Sequence, residues 1–353
     1  MRDADIASVQ PLPENAASPA SDRRCRPRQG ADMNRRNFLG ACASVASIAA
    51  LPACRTAPAP RADEAVLDAA AFARLRRFAR TPYGRIAYVE QGAGPAALFL
   101  HGLPLNGFHW RGSLERLRAH RRSIAPDFMG MGYTETLAQQ SLSPQAQADM
   151  LVAFLDALSI DAVDLVANDS GGTIAQLFAV QHPDRVRTML LTNCDVHENC
   201  PPVQMRNSIE AAKAGSYHPK MRRHLDDRAY ARSEKGIVGS AYMYPEKVSD
   251  EAIDYYFRPL VASPLRESQL NRYLADLDPN PLLSIEPDLR RLSTPTRMVW
   301  GTADPLFPVE WANWLDRTLP GSRGIRLAEG GKLFWPEEMP ELVAEEARAL
   351  WGV

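Results

Sequence analysis

Short apolar runs alternate with amphipathic stretches along most of this chain, a rhythm that predicts a mostly parallel sheet with helices on both faces. Residues 86–89, after the turn at Tyr83-Gly84, predict an early antiparallel strand. Residues 96–100 are apolar at every position and run into His101-Gly102, the pattern of a buried strand feeding a sharp loop. Further strands are predicted at 123–125, 163–167, 186–191 and 297–300. Between them, 143–158 predicts a helix: Ser143 can cap it, Pro144 suits its first turn, and Met150, Leu151, Phe154, Leu155 and Leu158 form one apolar stripe. From about 197 to 290 the rhythm lapses into a helical stretch with seven tyrosines, which predicts a cap inserted over the carboxyl ends of the strands.

The first 63 residues lack that rhythm. Residues 1–32 are polar and unpatterned, and predict a disordered segment or an over-long gene start ahead of Met33. Residues 33–54 open with Asn34-Arg35-Arg36-Asn37-Phe38-Leu39 and continue through about 15 small and apolar residues, too few for a membrane-spanning helix and the length of a signal core. They resemble a twin-arginine export signal. Leu51-Pro52-Ala53-Cys54 also resembles a lipoprotein box, which makes Cys54 a candidate lipid anchor, with plain cleavage nearby as the rival. Residues 55–63, with Ala57-Pro58-Ala59-Pro60, predict a stiff linker, and the folded domain is expected over 64–353. The expected location is therefore outside the cytoplasm, periplasmic or tethered to the membrane.

A chain of 353 residues, 45% hydrophobic and 24% charged, can bury one large core. Its formal net charge of -1 supplies no field to hold nucleic acid or an anionic membrane. A small, uncharged or mixed-charge substrate is expected instead, on a monomer or simple homo-oligomer, with no nucleic-acid partner. The five cysteines show no metal-ligand spacing, and there is no GxGxxG after the first parallel strand, no Walker motif and no zinc signature, so no cofactor or metal is expected. Cys194 and Cys200 could pair or stay as thiols.

The candidate chemistry centres on Leu165-Val166-Ala167-Asn168-Asp169-Ser170-Gly171-Gly172-Thr173, a buried strand entering a helix through a tight glycine-rich turn. Such a nucleophile elbow needs small residues two positions to either side of the nucleophile, where strand and helix cross. With Asp169 in the centre these are Ala167 and Gly171; with Ser170 they are Asn168 and Gly172. The first register fits better, and Ser170 then supplies a backbone N–H to the oxyanion. A carboxylate nucleophile gives a covalent ester intermediate.

These residues resemble the α/β-hydrolase superfamily, within it the branch of haloalkane and fluoroacetate dehalogenases and epoxide hydrolases, over roughly 75–351. His101-Gly102-Leu103-Pro104 is similar to the HGxP turn whose backbone, at Leu103, helps form the oxyanion hole. His101 itself is expected to be structural. Trp300-Gly301-Thr302-Ala303-Asp304-Pro305 is similar to the loop presenting the catalytic acid, and Asp195 occupies the position some dehalogenases use for that acid. Three departures qualify the resemblance. Ser170 and Leu103 stand where halide-binding Trp and Asn are usual, which disfavours dehalogenation. The cap tyrosines that would polarise an epoxide cannot be picked out by spacing. The general-base histidine is missing: no histidine follows His224, and Leu333 falls about where it is expected. His197 and Lys332 are the substitutes to consider. The expected function is an exported hydrolase of a small ester, lactone or epoxide acting through Asp169, against a non-hydrolytic or non-catalytic protein of the same fold, or a Ser170 esterase.

Overall fold

The computed structural model describes residues 67–353. The expected signal, linker and Cys54 anchor lie outside the described residues. Nine strands form one sheet: β1 (Arg77–Thr81), β2 (Gly84–Gln91), β3 (Ala96–Leu100), β4 (Arg122–Pro126), β5 (Glu135–Thr136), β6 (Val163–Asp169), β7 (Val186–Cys194), β8 (Thr296–Gly301) and β9 (Ser322–Ala328). Their order is β1-β2-β4-β3-β6-β7-β8-β9, with β5 paired to β2. The pairs made by β2 are antiparallel and all others parallel.

Burial follows the sequence pattern. β3 is buried at every position, and in β6 only Asp169 is not fully buried. Each has parallel neighbours on both sides and helices on both faces, which is why their apolar runs are unbroken. Three strands escape the sequence reading: β1 and β9 close the sheet at its edges, are mostly exposed or half-buried and carry no apolar run, and β5 is two residues long and pairs only with β2. The helix Pro144–Ala157 is capped by Ser143, whose side chain accepts from the Ala146 N–H at 3.3 Å, with Pro144 in its first turn.

Seven α-helices, from Arg206 to Leu289, separate β7 from β8, and Tyr217, Lys220 and Ile237 from them line a cavity with residues at the carboxyl ends of the strands. The cap tyrosines do different jobs. Tyr242 and Tyr256 donate to Glu337, at 2.5 and 2.8 Å, and Tyr255 meets Arg76. Tyr273 meets Ser170, while Tyr217 lines a cavity under the cap. Cys194 and Cys200 are both buried free thiols.

Candidate active site

The site gathers at the carboxyl ends of β3, β6, β7, β8 and β9, where parallel strands of an α/β sheet leave a crevice. β6 enters the helix Ser170–Gln181 through Asp169, whose backbone sits at φ 55° and ψ -135°, outside the comfortable range of a residue with a side chain. The elbow therefore turns at Asp169 and not at Ser170. Ser170 is the first helical residue, 1% exposed, with its hydroxyl 3.1 Å from the Tyr273 hydroxyl.

The glycines around the elbow are there for space. A Cβ on Gly171 would come within 2.5 Å of the His101 carbonyl oxygen, and one on Gly172 within 2.3 Å of the Cys194 Cβ. Gly102 is as constrained, since a side chain there would meet Asp169 Cβ at 2.3 Å. The His101-Gly102-Leu103 turn can thus lie directly against the elbow. His101 holds the base of that turn: its Nε2 accepts from the Phe128 N–H at 3.1 Å, and its Nδ1 lies 2.9 Å from the Gly102 carbonyl. Burial pushes His101 down to about 3, so it is a neutral, structural ring.

The Asp169 carboxyl accepts from the Ser170 N–H at 2.6 Å, and the Leu103 N–H also hydrogen-bonds to it. The two backbone groups expected to form the oxyanion hole thus converge on Asp169. Burial, then the neighbouring Asp195 and Asp304, push its affinity for a proton well above the usual carboxylate range, while the two N–H groups pull the other way.

Asp169, Asp195 and Asp304 line one cavity of about 210 Å³, together with Leu103, Tyr217 and Leu333 among others. Asp195, just after β7, is 2% exposed; its Oδ2 accepts from Thr173 at 2.8 Å, and burial raises it to about 7. Asp304, after β8, is 5% exposed. Burial lifts it to about 6 against the N–H groups of Leu306 and Phe307. Its Oδ1 accepts from the Leu306 N–H at 2.8 Å, and the Asn193 side chain also hydrogen-bonds to the carboxyl.

Leu333 is 5% exposed and lines the same cavity in the loop after β9, so an apolar side chain occupies the place expected for an imidazole. Neither expected substitute reaches the cavity wall. His197 turns away at φ 48°, bonds Glu286 through Nε2 at 2.9 Å and stacks on Trp314. The loop that carries Asp195 inward carries His197 outward. Lys332 points to the cap and donates to the Gly239 carbonyl at 3.0 Å.

Two buried asparagines, which the sequence reading passed over, assemble these loops. Asn193 accepts through Oδ1 from the Gly301 N–H at 2.6 Å and from Trp335 Nε1 at 2.9 Å, tying the Asp304 loop to the segment after Leu333. Asn168 donates through Nδ2 toward Thr192 Oγ1, the Asn193 carbonyl and the Leu333 carbonyl, at 3.0 to 3.1 Å. An Asn at the polar end of an otherwise apolar strand was the available signal. From the cap, Lys220 also lines the cavity; burial lowers its proton affinity, and its ammonium lies over the Tyr217 ring. Among the described residues, no group of three His, Cys, Asp or Glu side chains is placed to hold a metal ion.

Comparison with known proteins agrees with this architecture. The profile of the Alpha/beta hydrolase family matches residues 97–346. The 2-hydroxymuconate semialdehyde hydrolase of Pseudomonas sp. (strain CF600) is 29% identical over 245 residues, 65% of this chain and 78% of that protein. The epoxide hydrolase of Caballeronia sordidicola is 41% identical over 102 residues, 28% of this chain and 31% of its own. The solved structure of the epoxide hydrolase CorEH superposes with a TM-score of 0.65 at 19% identity, covering 78% of this chain and 98% of the other, and shares the fold.

Proposed function

Since the chain belongs to the alpha/beta hydrolase family, we propose that it is a hydrolase that attacks a small epoxide, ester or lactone with Asp169. The observation carrying this reading is the carboxyl of Asp169 at the strained tip of the elbow, facing the cavity and met by the Ser170 N–H.

In this reading an Asp169 oxygen bonds to the electrophilic carbon and the substrate C–O bond breaks. The departing oxygen takes a proton from the Asp195 carboxyl, which is partly neutral near neutral pH because burial raises it to about 7. Tyr217, kept un-ionised by burial, can donate a hydrogen bond to the same oxygen. Water then attacks the Asp169 carboxyl carbon while the ionised Asp195 takes one of its protons; the bond from that carbon to the oxygen joined to the substrate breaks, and the water's second proton leaves with that oxygen. The Ser170 and Leu103 N–H groups hold the charge that develops on the Asp169 oxygen. Asp169 and Asp195 return to their starting states, and one water has been consumed. Asp195 is favoured over Asp304 for this role because burial raises it to about 7, closer to neutral pH than Asp304 at about 6.

Leu333 on the cavity wall favours one second reading, a protein of this fold that binds its ligand without turning it over. Intact-mass spectrometry on exposure to epoxides and activated esters separates the two, with Asp169→Asn and Ser170→Ala alongside. An adduct absent only from Asp169→Asn supports the Asp169 mechanism. An adduct lost in Ser170→Ala instead, or neither adduct nor product with any compound, overturns it.

A further inference from the structure

The helix Ser170–Gln181 carries more than the elbow. Its first two turns also hold Asp195, through two fully buried side chains that take no part in the steps proposed for Asp169. Gln176 Nε2 donates to the Asp195 carbonyl oxygen at 2.8 Å and to the Gly172 carbonyl at 3.0 Å, which ties the loop after β7 to the helix. Thr173 Oγ1 donates to Asp195 Oδ2 at 2.8 Å, and it is the one protein donor to that carboxyl among the described residues.

The hydroxyl has a defined direction. A threonine inside a helix can give its single proton to a carbonyl one turn back, but here it gives it to Asp195. Cys200 Sγ lies 3.8 Å from the same hydroxyl oxygen. Burial pushes the Cys200 thiol well above its ordinary range, so it keeps its proton and can donate to Thr173 Oγ1. Thiol, hydroxyl and carboxyl thus stand in a row, each donating to the next. With Oδ2 engaged, Oδ1 makes no hydrogen bond to the protein among the described residues, and Asp195 lines the cavity. A proton on the carboxyl therefore favours Oδ1, because Oδ2 already receives one.

We propose that Thr173 is a positioning residue: its donation to Oδ2 fixes the Asp195 carboxyl so that Oδ1 carries the proton that passes to the departing substrate oxygen and that water later restores. The inference rests on reading Asp195 as the acid and base of the hydrolysis. The O–H bond at Oδ1 breaks as the one on the departing oxygen forms, one proton of the attacking water then replaces it, and Thr173 keeps its own proton throughout.

The same contact limits how far burial raises Asp195. Burial favours the neutral acid, the Thr173 hydroxyl favours the ionised form, and the balance leaves Asp195 at about 7. The titratable groups near it are Asp169, Cys194, Cys200 and Tyr273, with Asp304 in the same cavity, and none of these brings a positive charge. Lys220, also on the cavity wall, lies over the Tyr217 ring.

Thr173→Val keeps the branched shape and removes the donor, whereas Thr173→Ser keeps the donor. Infrared titration of the wild-type protein and both variants, with Asp195→Asn to assign the band and thermal melts to verify folding, follows the Asp195 carboxyl without substrate. Its midpoint should rise by about one pH unit or more in Thr173→Val and stay within about 0.3 of wild type in Thr173→Ser. The high-pH limit of Asp169 adduct formation should move up with it. Adduct breakdown in Thr173→Val should slow at least about fivefold at pH 7, where the ionised fraction of Asp195 falls from about half to about a tenth. About threefold of that loss should persist at pH 9.5, where the carboxyl is ionised but no longer held. An unmoved midpoint in Thr173→Val, or a Thr173→Ser that behaves like Thr173→Val, overturns the proposal. A moved midpoint with no adduct or product from any epoxide or activated ester keeps Thr173 as the group that holds Asp195 and sinks the hydrolase reading. Turnover through Asp169 with an unmoved midpoint does the reverse.

Discussion

The Asn168 side chain donates to the Leu333 carbonyl at 3.1 Å, so the residue before the elbow holds the loop in which the expected histidine is missing. The backbone at position 333 is thus kept in place by a contact that does not depend on its side chain.

It follows that Leu333→His should put an imidazole on the cavity wall with its frame intact. Facing Asp304, the new ring can act as a base, and positioned general bases contribute about 10²–10⁴-fold. Breakdown of the Asp169 adduct should accelerate by about 10²-fold, read as loss of the adduct peak and a rise in steady-state turnover. An adduct equally long-lived in this variant would mean that water activation is not the slow step.

Asp169 combines a positive φ with a buried carboxyl beside two others. Asparagine tolerates that backbone and cannot be charged. Asp169→Asn should lose about 10³-fold or more in activity and gain about 1 kcal/mol in stability, the trade expected of a strained nucleophile. Activity assays paired with denaturant melts check both halves.

Asp195 makes stability depend on pH in the direction opposite to a salt-bridged acid. Its folded-state value, about 7, lies above the unfolded value of 3.8, so the folded protein holds the proton more tightly. This contribution is complete below about pH 4 and is lost as pH rises through about 7. The difference in unfolding free energy between wild type and Asp195→Asn should change across that window by on the order of 4 kcal/mol. A difference that stays flat would show that Asp195 is ionised throughout.

Glu337 behaves the other way. Burial pushes it up, but Arg111 at 2.6 Å, with His109 and the Tyr242 and Tyr256 hydroxyls, outweighs that and holds it at about 2. Its stabilisation is present above the unfolded value of 4.5 and is lost as pH falls toward 2. Glu337→Gln leaves Arg111 without its partner and should cost about 3–5 kcal/mol in denaturant melts at neutral pH. Tyr242 packs on Phe334 of the cavity wall, so activity should fall with stability.

How far the sequence could be read depended on whether the determinant was local. The central strands were legible because parallel neighbours and covering helices force unbroken apolar runs, whereas β1 and β9, paired on one side only, left no such trace. The elbow could be assigned to Asp169 because the small-residue rule operates within five consecutive positions. The Asp304 loop was found by its order in the chain. His197 was a reasonable base by proximity to Asp195, yet two residues along a turning loop are enough to put one side chain in the cavity and the other on Trp314.

A net charge of -1 hid a concentration of acid in one cavity, because a total does not record where charges meet. By itself the sequence determined the central strands, the elbow, the cap and the absence of a late histidine, all matters of pattern and order. Only the tertiary structure decided that Asp169, Asp195 and Asp304 line one cavity and that Tyr217 and Lys220 join them from the cap. Those relations arise where the ends of separate strands and a cap helix meet, and burial, which sets their charge states, exists only once the chain has folded.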